Sequence, residues 1–262
     1  MIRGLYTAAS GMVAQQTNID VISNNIANVN TTGFKQDRAE FQDLMYQSLN
    51  FTAGATSSDT ANPTGIDVGL GIRTSSIQKN YNQGSIKETG NSLDLAISGK
   101  GFFKITTPNG EIAYTRNGEF KLNSEGSIVN SSGYKLEPEI VVPTGLTNLS
   151  IAQDGTISAM NPASGESTTL GQITTVDFVN PAGLSPLGGN LVLATNVSGD
   201  PIDGTPGLNG LGALSQGMIE TSNVQLVTEM VNLITAQRAY ESNSKAITTT
   251  DSMLQTVNQL KK

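Results

Sequence analysis

Residues 5–29 read LYTAASGMVAQQTNIDVISNNIANV, and this stretch decides the fold of the first part of the chain. Its apolar side chains recur at alternating steps of three and four residues, which is the heptad pattern of a helix that packs along one face. Gly33 follows, and glycine often closes a helix because it tolerates the left-handed conformation. We therefore predict an N-terminal helix within residues 1–35. The side chains expected to pack in an assembly are Leu5, Met12, Ile19, Ile22, Ile26 and Val29.

The same spacing returns at the other end of the chain, where residues 222–262 predict a second long helix. Three polar residues, Glu229, Asn243 and Thr250, interrupt its apolar series. At a rise of about 1.5 Å per residue both helices are long enough to lie side by side, and we expect them to pair as a coiled coil. The corresponding packing positions are Leu226, Leu233, Tyr240, Ile247, Leu254 and Val257.

An ordinary amphipathic helix on a globular core has the same periodicity as a helix that packs in an assembly. The residues on the opposite face of each helix help to distinguish the two. Solvated faces usually carry Lys and Glu, whereas residues 4–34 contain a single charged residue, Asp20. Ordering some thirty residues costs on the order of 45 kcal/mol, while seven buried apolar side chains return roughly 10–20 kcal/mol. We therefore expect both ends to be largely disordered in the isolated chain and to fold when neighbouring copies cover them. Arg238 and Glu241 are expected to form ion pairs that fix the register between helices.

Between the predicted helices the pattern changes to short strands separated by turns that contain glycine. We expect a β-rich antiparallel outer domain at residues 89–205, after a connecting β and arm region at 36–88 and before a return connection at 206–221. Residues 46–65 lack periodicity and predict an extended arm. The predicted fold class is therefore α+β. The hairpin signals are Asn109-Gly110, Asn117-Gly118, Glu125-Gly126, Ser132-Gly133 and Asp154-Gly155.

Composition excludes several kinds of chemistry. The 262 residues include no Cys and no His, which removes disulfides, thiol nucleophiles and imidazole ligands. A net charge of −7 and only 15 scattered Lys and Arg residues argue against binding to nucleic acid or to an anionic membrane surface. The apolar runs are too short to span a bilayer, so we expect no membrane insertion. No complete nucleotide-binding loop or calcium loop is present, and we expect no cofactor and no metal.

Two groups of carboxylates are the remaining candidates for acid–base chemistry. Asp37, Glu40 and Asp43 recur every three residues, which predicts a solvated helical face. Glu137 and Glu139 are two residues apart and would share one face of a strand, where a pair of carboxylates could act together. No other base and no aromatic platform accompanies them. We therefore expect no catalytic residue and no enzymatic activity.

Short motifs are spread along the whole chain: ASGM at 9–12, NNIANV at 24–29, TGFK at 32–35, GNSLDLAI at 90–97, GFF at 101–103, YTR at 114–116, DG at 154–155, SNV at 222–224, EMV at 229–231, QRAYE at 237–241 and NSK at 243–245. In these motifs the two ends of the chain resemble the signatures of the flagellar basal-body rod and hook axial proteins, and the middle is similar to the distal rod subunits of that family. Ser242 departs from the pattern, since the family often has Met there. The resemblance covers essentially the whole chain.

This resemblance implies a structural subunit of the flagellar distal rod, a helical homopolymer that transmits torque from motor to hook and encloses the export channel. It implies delivery by the flagellar type III export apparatus without a cleaved signal peptide, and assembly from the periplasm to the level of the outer membrane. The implied partners are the proximal rod subunit, the hook subunit or hook–rod junction, and the P-ring and L-ring proteins. The arm at 46–65 is expected to reach an adjacent subunit and to lock the tube straight.

Two alternatives stay open on the sequence alone. The first is a proximal rod or hook subunit of the same family. The second, from a different class, is a secreted β-rich protein that binds or cleaves glycans, which the hairpin-rich middle would suit. Aromatic residues make up only 5% of the chain, and this scarcity speaks against a glycan-binding platform.

Overall fold

The chain folds into two helices at its ends and a strand-rich middle, which confirms the α+β class. A computed structural model describes the backbone of residues 2–50, 55–57, 60–61, 66–143, 145–162 and 166–260. The chain divides into two compact units. Unit 1 contains residues 1–26, 37–78 and 225–262, and unit 2 contains residues 27–36 and 79–224.

The helices are α1, Ile2–Ala27, and α2, Leu226–Leu260. Helix α1 ends six residues before Gly33, where the sequence predicts its end. The reason is a local turn, in which the backbone N–H of Thr31 donates to the carbonyl of Asn28 (3.1 Å) and its hydroxyl group to the Asn28 side-chain oxygen (3.1 Å). Short polar side chains compete in this way with helical hydrogen bonds. No helix within the described part of the chain has both the length and the apolar character needed to cross a membrane.

The strands of unit 1 form three two-stranded ladders. The prediction that Asp37, Glu40 and Asp43 lie on a helical face is wrong, because all three belong to strand β1. The Glu40 carboxylate accepts hydrogen bonds from Arg38 on its own strand (2.9 Å) and from Ser76 on the paired strand (3.1 Å). The ladders pair β1 (Asp37–Asp43) with β6 (Ile72–Lys79), β2 (Tyr46–Asn50) with β5 (Ile66–Gly69), and β3 (Ala55–Ser57) with β4 (Thr60–Ala61).

Parts of the predicted arm at 46–65 fall in strands β2, β3 and β4. Residues 51–54, 58–59 and 62–65 lie outside the described residues.

Unit 2 is built on a nine-stranded antiparallel sheet, with a separate three-stranded sheet and two further ladders. The path through the large sheet runs β11-β12-β13-β9-β10-β19-β18, and β17 pairs with both β9 and β20. Its strands are β9 (Phe102–Thr106), β10 (Ile112–Thr115), β11 (Lys121–Leu122), β12 (Ile128–Val129), β13 (Lys135–Glu137), β17 (Thr175–Asp177), β18 (Ser185–Gly188), β19 (Leu191–Leu193) and β20 (Ile202–Gly204). The others are β7 (Ile86–Glu88) with β22 (Met218–Glu220), β8 (Leu95–Ser98) with β21 (Ala213–Gln216), and the sheet of β14 (Thr147–Ile151), β15 (Thr156–Met160) and β16 (Ser167–Gln172).

Four of the five predicted turns are confirmed as hairpin turns, since each joins two strands that pair with each other. The fifth signal, Asn117-Gly118, connects β10 to β11, which are not neighbours in the sheet. Gly118 is needed there for a different reason. A Cβ atom on it would lie 1.6 Å from the carbonyl oxygen of Leu95, so the two backbones pass in direct contact.

The main core of unit 2 lies between its sheets. Phe103 and Phe120 are almost fully buried and meet edge to face at 5.2 Å between ring centroids. Such aromatic pairs contribute about 0.5–1.5 kcal/mol beyond the burial of their surface. The rest of this cluster is apolar and consists of Leu95, Ile97, Ile128, Leu136, Ile140, Ile151, Ile157, Ile173 and Leu214.

Replacing Gly118 with alanine is expected to destabilise unit 2 by more than about 3 kcal/mol, because the strand backbone that carries Leu95 would have to move. Gly110→Ala is the matched control. Gly110 has a φ of +81° but no atom within 4 Å of its missing Cβ, so only a conformational cost of about 1–2 kcal/mol is expected. Urea unfolding of both variants measures the difference, and equal destabilisation would contradict the close-contact explanation.

Candidate packing site

Two contacts bring α1 and α2 together within unit 1. A Cβ atom on Gly11 would lie 2.8 Å from the side-chain nitrogen of Asn243. Fourteen residues further along α1, the side chain of Asn25 donates to the carboxylate of Glu229 at 3.5 Å, and Glu229 lies fourteen residues before Asn243 on α2. The two helices therefore run in opposite directions in one fixed register.

Asn25 is the polar centre of this contact and is 1% exposed. Its amide nitrogen also donates to the backbone carbonyl of Asp37 (2.8 Å), and its amide oxygen accepts from the backbone N–H of the same residue (2.9 Å). Glu229 is 2% exposed. Because a buried polar group without a partner is costly, this contact penalises any other register of the two helices.

The residues that the sequence presents as interruptions lie on the buried side of α2. Glu229 and Ala236 are its buried residues, and Asn243, seven residues further on, meets Gly11. Sequence reasoning identified Glu229 and Asn243 as interruptions of the heptad series but missed their role as contacts, because an apolar count scores Glu and Asn as breaks in a stripe. The regular seven-residue spacing of Glu229, Ala236 and Asn243 is the signal that could have found it.

The predicted packing positions differ in their exposure within the single chain. Ile22 is buried, whereas Leu226, Tyr240 and Val257 are 43%, 39% and 51% exposed. Their packing against neighbouring copies stays a prediction. The remaining positions, Leu5, Met12, Ile19, Ile26, Val29, Leu233, Ile247 and Leu254, are partly buried.

Arg238 and Glu241 are both exposed, and neither makes an ion pair within the described residues. Their role in setting the register between helices also stays a prediction.

Unit 2 contains a second polar centre, a buried carboxylate between two cations. Glu220, at the end of β22, is 1% exposed and forms ion pairs with Lys35 and with Arg116 (3.3 Å). Its carboxylate also accepts a hydrogen bond from the backbone N–H of Gly84 (2.8 Å), and its backbone carbonyl accepts one from Gly33 (2.8 Å). Four segments that are distant in sequence therefore meet at one side chain.

The cations of this network have further partners of their own. The Lys35 ammonium donates to the backbone carbonyl of Asn82 (2.9 Å), and the Arg116 guanidinium donates to that of Gly99 (2.7 Å). Burial lowers the pKa of Lys35, and the carboxylate of Glu220 opposes this shift. Burial likewise lowers the pKa of Arg116, again opposed by Glu220. The carboxylate thus opposes the effect of desolvation on both cations.

The carboxylates Glu137 and Glu139 do not form an acid–base pair. Glu137 pairs with Lys104 at 3.3 Å, whereas Glu139 pairs with Lys135 at 2.7 Å. The hydrogen bond from Lys135 lowers the pKa of Glu139, while a general acid needs a raised pKa. Among the described residues, no group of three or more Asp or Glu side chains is placed to hold a metal ion.

Replacing Lys35 with methionine is expected to destabilise unit 2 by about 3–5 kcal/mol, because Glu220 would remain buried beside a single, more distant cation. Lys135→Met is the matched control. Lys135 pairs with Glu139 at the surface, where ion pairs contribute little, so this variant should unfold like the wild type. Chemical denaturation followed by circular dichroism compares the two, and a Lys35→Met variant as stable as the control would contradict the role of the network.

Three families of known proteins match successive parts of the chain. Residues 5–35 match the family described as flagella basal body rod protein. Residues 96–159 match the flagellar hook protein FlgE/F/G D1 domain, and residues 215–260 match the flagellar basal body rod FlgEFG protein C-terminal region.

Individual relatives show that this chain is similar to rod proteins over its full length and to a hook protein over only part of its length. The chain is 48% identical over 260 residues to the flagellar basal-body rod protein FlgG of Buchnera aphidicola subsp. Schizaphis graminum, covering 99% of this chain and 100% of the relative. It is 48% identical over 264 residues to FlgG of Borreliella burgdorferi, covering 100% of both. The hook protein FlgE of Helicobacter mustelae is 41% identical over 138 residues, which are 52% of this chain and 30% of the hook protein. The chain therefore belongs to the FlgG family of flagellar basal-body rod proteins.

Proposed function

We propose that this chain, a structural subunit of the flagellar distal rod, polymerises through α1 and α2 into a rigid helical tube that encloses the export channel and transmits torque to the hook. The observation that carries the proposal is identity of 48% with FlgG proteins over the full length of both chains. The partial match to a hook protein, 30% of its length, favours a rod subunit over the hook alternative.

The exposed face of α2 supports assembly through the helices. Val227, Val231 and Ile234 are 76%, 54% and 50% exposed, although they are aliphatic. They follow one another at steps of four and three residues, and the same steps lead on to Arg238 and Glu241. Helix α2 therefore carries a second heptad stripe on the side opposite Glu229 and Ala236. A helix with two such stripes has packing surface for more than one partner.

In the proposed tube, α1 and α2 of one subunit form a coiled coil, and the outer stripe of α2 packs against a neighbouring copy. Arg238 and Glu241 then pair across that contact and set its register. The contact repeats without closing, because a heterologous interface generates an open helix of identical copies. The chain needs no cofactor for this task and acts without catalysis.

The remaining features of the proposal follow from the family. The tube lies in the flagellar basal body. We infer that it extends from the periplasm to the outer membrane, joins the proximal rod subunit to the hook or hook–rod junction, and is surrounded by the P-ring and L-ring proteins. Subunits reach it through the type III export apparatus. The role of the arm at 46–65 in locking the tube straight stays a prediction.

Replacing Ile234 with glutamate is expected to stop assembly of the distal rod, because it places a charge in the outer stripe of α2. The monomer should keep its stability to within about 0.5 kcal/mol, since Ile234 is half exposed. Thr235→Glu is the control, with the same charge at an exposed position beside the stripe. Electron microscopy of purified basal bodies and swimming assays measure the outcome, and normal rods in the Ile234→Glu strain would refute the packing model.

The isolated monomer is expected to show fast amide exchange in the terminal segments of unit 1, residues 1–26 and 225–262, and slow exchange at residues 90–200. The physical reason is the cost of ordering the helices when no neighbour covers them. Hydrogen–deuterium exchange with mass spectrometry on dilute protein measures this. Protection of both ends in the monomer would mean that the helices form a self-contained unit and would remove assembly-coupled folding from the proposal.

A further inference from the structure

We propose that a pocket in unit 2, beside the buried Arg116, receives one acidic side chain from a second copy of this chain. The inference rests on the proposed function and names one subunit contact within it. The pocket has a volume of about 220 Å³. The lining residues that carry the inference are Phe34, Lys35, Lys79, Phe102, Arg116 and Leu191.

The size of the pocket decides what kind of occupant it can take. Sites for small molecules and cofactors usually measure about 300–1,000 Å³, which is larger than this pocket. An apolar cavity of about 150 Å³ is large enough to bind benzene. The pocket therefore fits a single large side chain, which is how an anchor residue of a protein partner binds.

The charge of the lining decides the chemistry of that side chain. Among the described residues that line the pocket, three are cations, Lys35, Lys79 and Arg116, and none is acidic. Glu220 pairs with both Lys35 and Arg116, so one negative charge is shared between two positive charges. The ammonium of Lys79 lies 5.3 Å from the centre of the Phe34 ring, which holds a third positive charge at the same pocket.

Arg116 provides a buried donor that lacks an acceptor. The residue is 6% exposed, and its two terminal nitrogens donate to Glu220 and to the carbonyl of Gly99. Its Nε group is buried and has no hydrogen-bond partner among the residues that the structure describes. A buried donor without an acceptor is unfavourable, so a carboxylate that reached this nitrogen from the pocket would supply the acceptor that the described residues lack.

A second copy of this chain is the occupant that fits this charge. The chain has 22 Asp and Glu residues against 15 Lys and Arg, so a neighbouring copy has more carboxylates than cations to offer. Each copy would bind an acidic side chain of one neighbour in its pocket and would insert its own acidic side chain into the pocket of another neighbour. This is a heterologous contact of the kind that generates an open helix, as the proposed tube requires.

The test is site-specific photo-crosslinking in cells that assemble basal bodies. Pro186 lines the pocket and is exposed, so the chain is expressed with p-benzoylphenylalanine at this position. The control carries the same group at Thr169, an exposed residue of the separate three-stranded sheet. We expect a dimer of this chain from position 186, with the crosslinked peptide of the second copy containing Asp or Glu. Assembled rods without a dimer from position 186, a crosslink to a different protein, or a partner peptide with no acidic residue would each overturn the inference.

A charge variant makes the test independent of the crosslinker. Lys79→Met keeps an apolar stem and removes one cation from the pocket. We expect at least a fivefold fall in the dimer yield from position 186, while the melting temperature of the monomer falls by only about 2–4 °C through loss of the contact with the Phe34 ring. An unchanged yield overturns the role of charge. If the unmodified chain formed no rods at all, the proposed function would fail, which is a different result from rods that lack this contact.

Discussion

The carboxylate of Glu220 is the interaction on which the β-rich unit depends. It is buried, forms ion pairs with Lys35 and Arg116, and accepts a hydrogen bond from the backbone N–H of Gly84. Removing charges from water is expensive, and a buried ion pair seldom adds stability over a well-packed apolar core. What such a group does is penalise every arrangement in which its partners are missing. Segments that are separated by more than a hundred residues must therefore meet correctly for unit 2 to form.

The helical unit uses the same principle in a different element. Asn25 and Glu229 meet in the buried face between α1 and α2, and the Asn25 amide also satisfies both backbone groups of Asp37. An apolar stripe alone specifies poorly how far one helix slides along the other, because a shift of one heptad replaces one apolar contact with another. Polar residues at Asn25 and Glu229 remove that freedom. Gly11 adds a steric condition, since it leaves room for Asn243.

Local patterns in the sequence predicted the fold well, whereas contacts between residues that are distant in sequence could not be predicted from it. Hairpins follow from turn chemistry within a few residues, so four of five Gly-containing signals were correct. The fifth signal did not mark a hairpin, because Gly118 is there to let its backbone contact the carbonyl group of Leu95, which lies 23 residues away in sequence. The end of α1 depends on a turn at Asn28 that competes with the helix. Glu220 could not be recognised, because nothing near it in sequence shows that Lys35 and Arg116 will surround it.

The two faces of α2 differ in where the partners of their side chains lie. The inner face carries Glu229, Ala236 and Asn243, whose partners lie within the same chain. The outer face begins with exposed valines and continues at heptad spacing into Arg238 and Glu241, for which the described residues supply no ion-pair partner. Exposed aliphatic groups gain free energy when a neighbour covers them, at about 25 cal/mol per Å² of apolar surface. Charges on the same stripe add little affinity but penalise a wrong register. A polymer that must carry torsional load needs both properties, since adhesion without register would let the copies slip past each other.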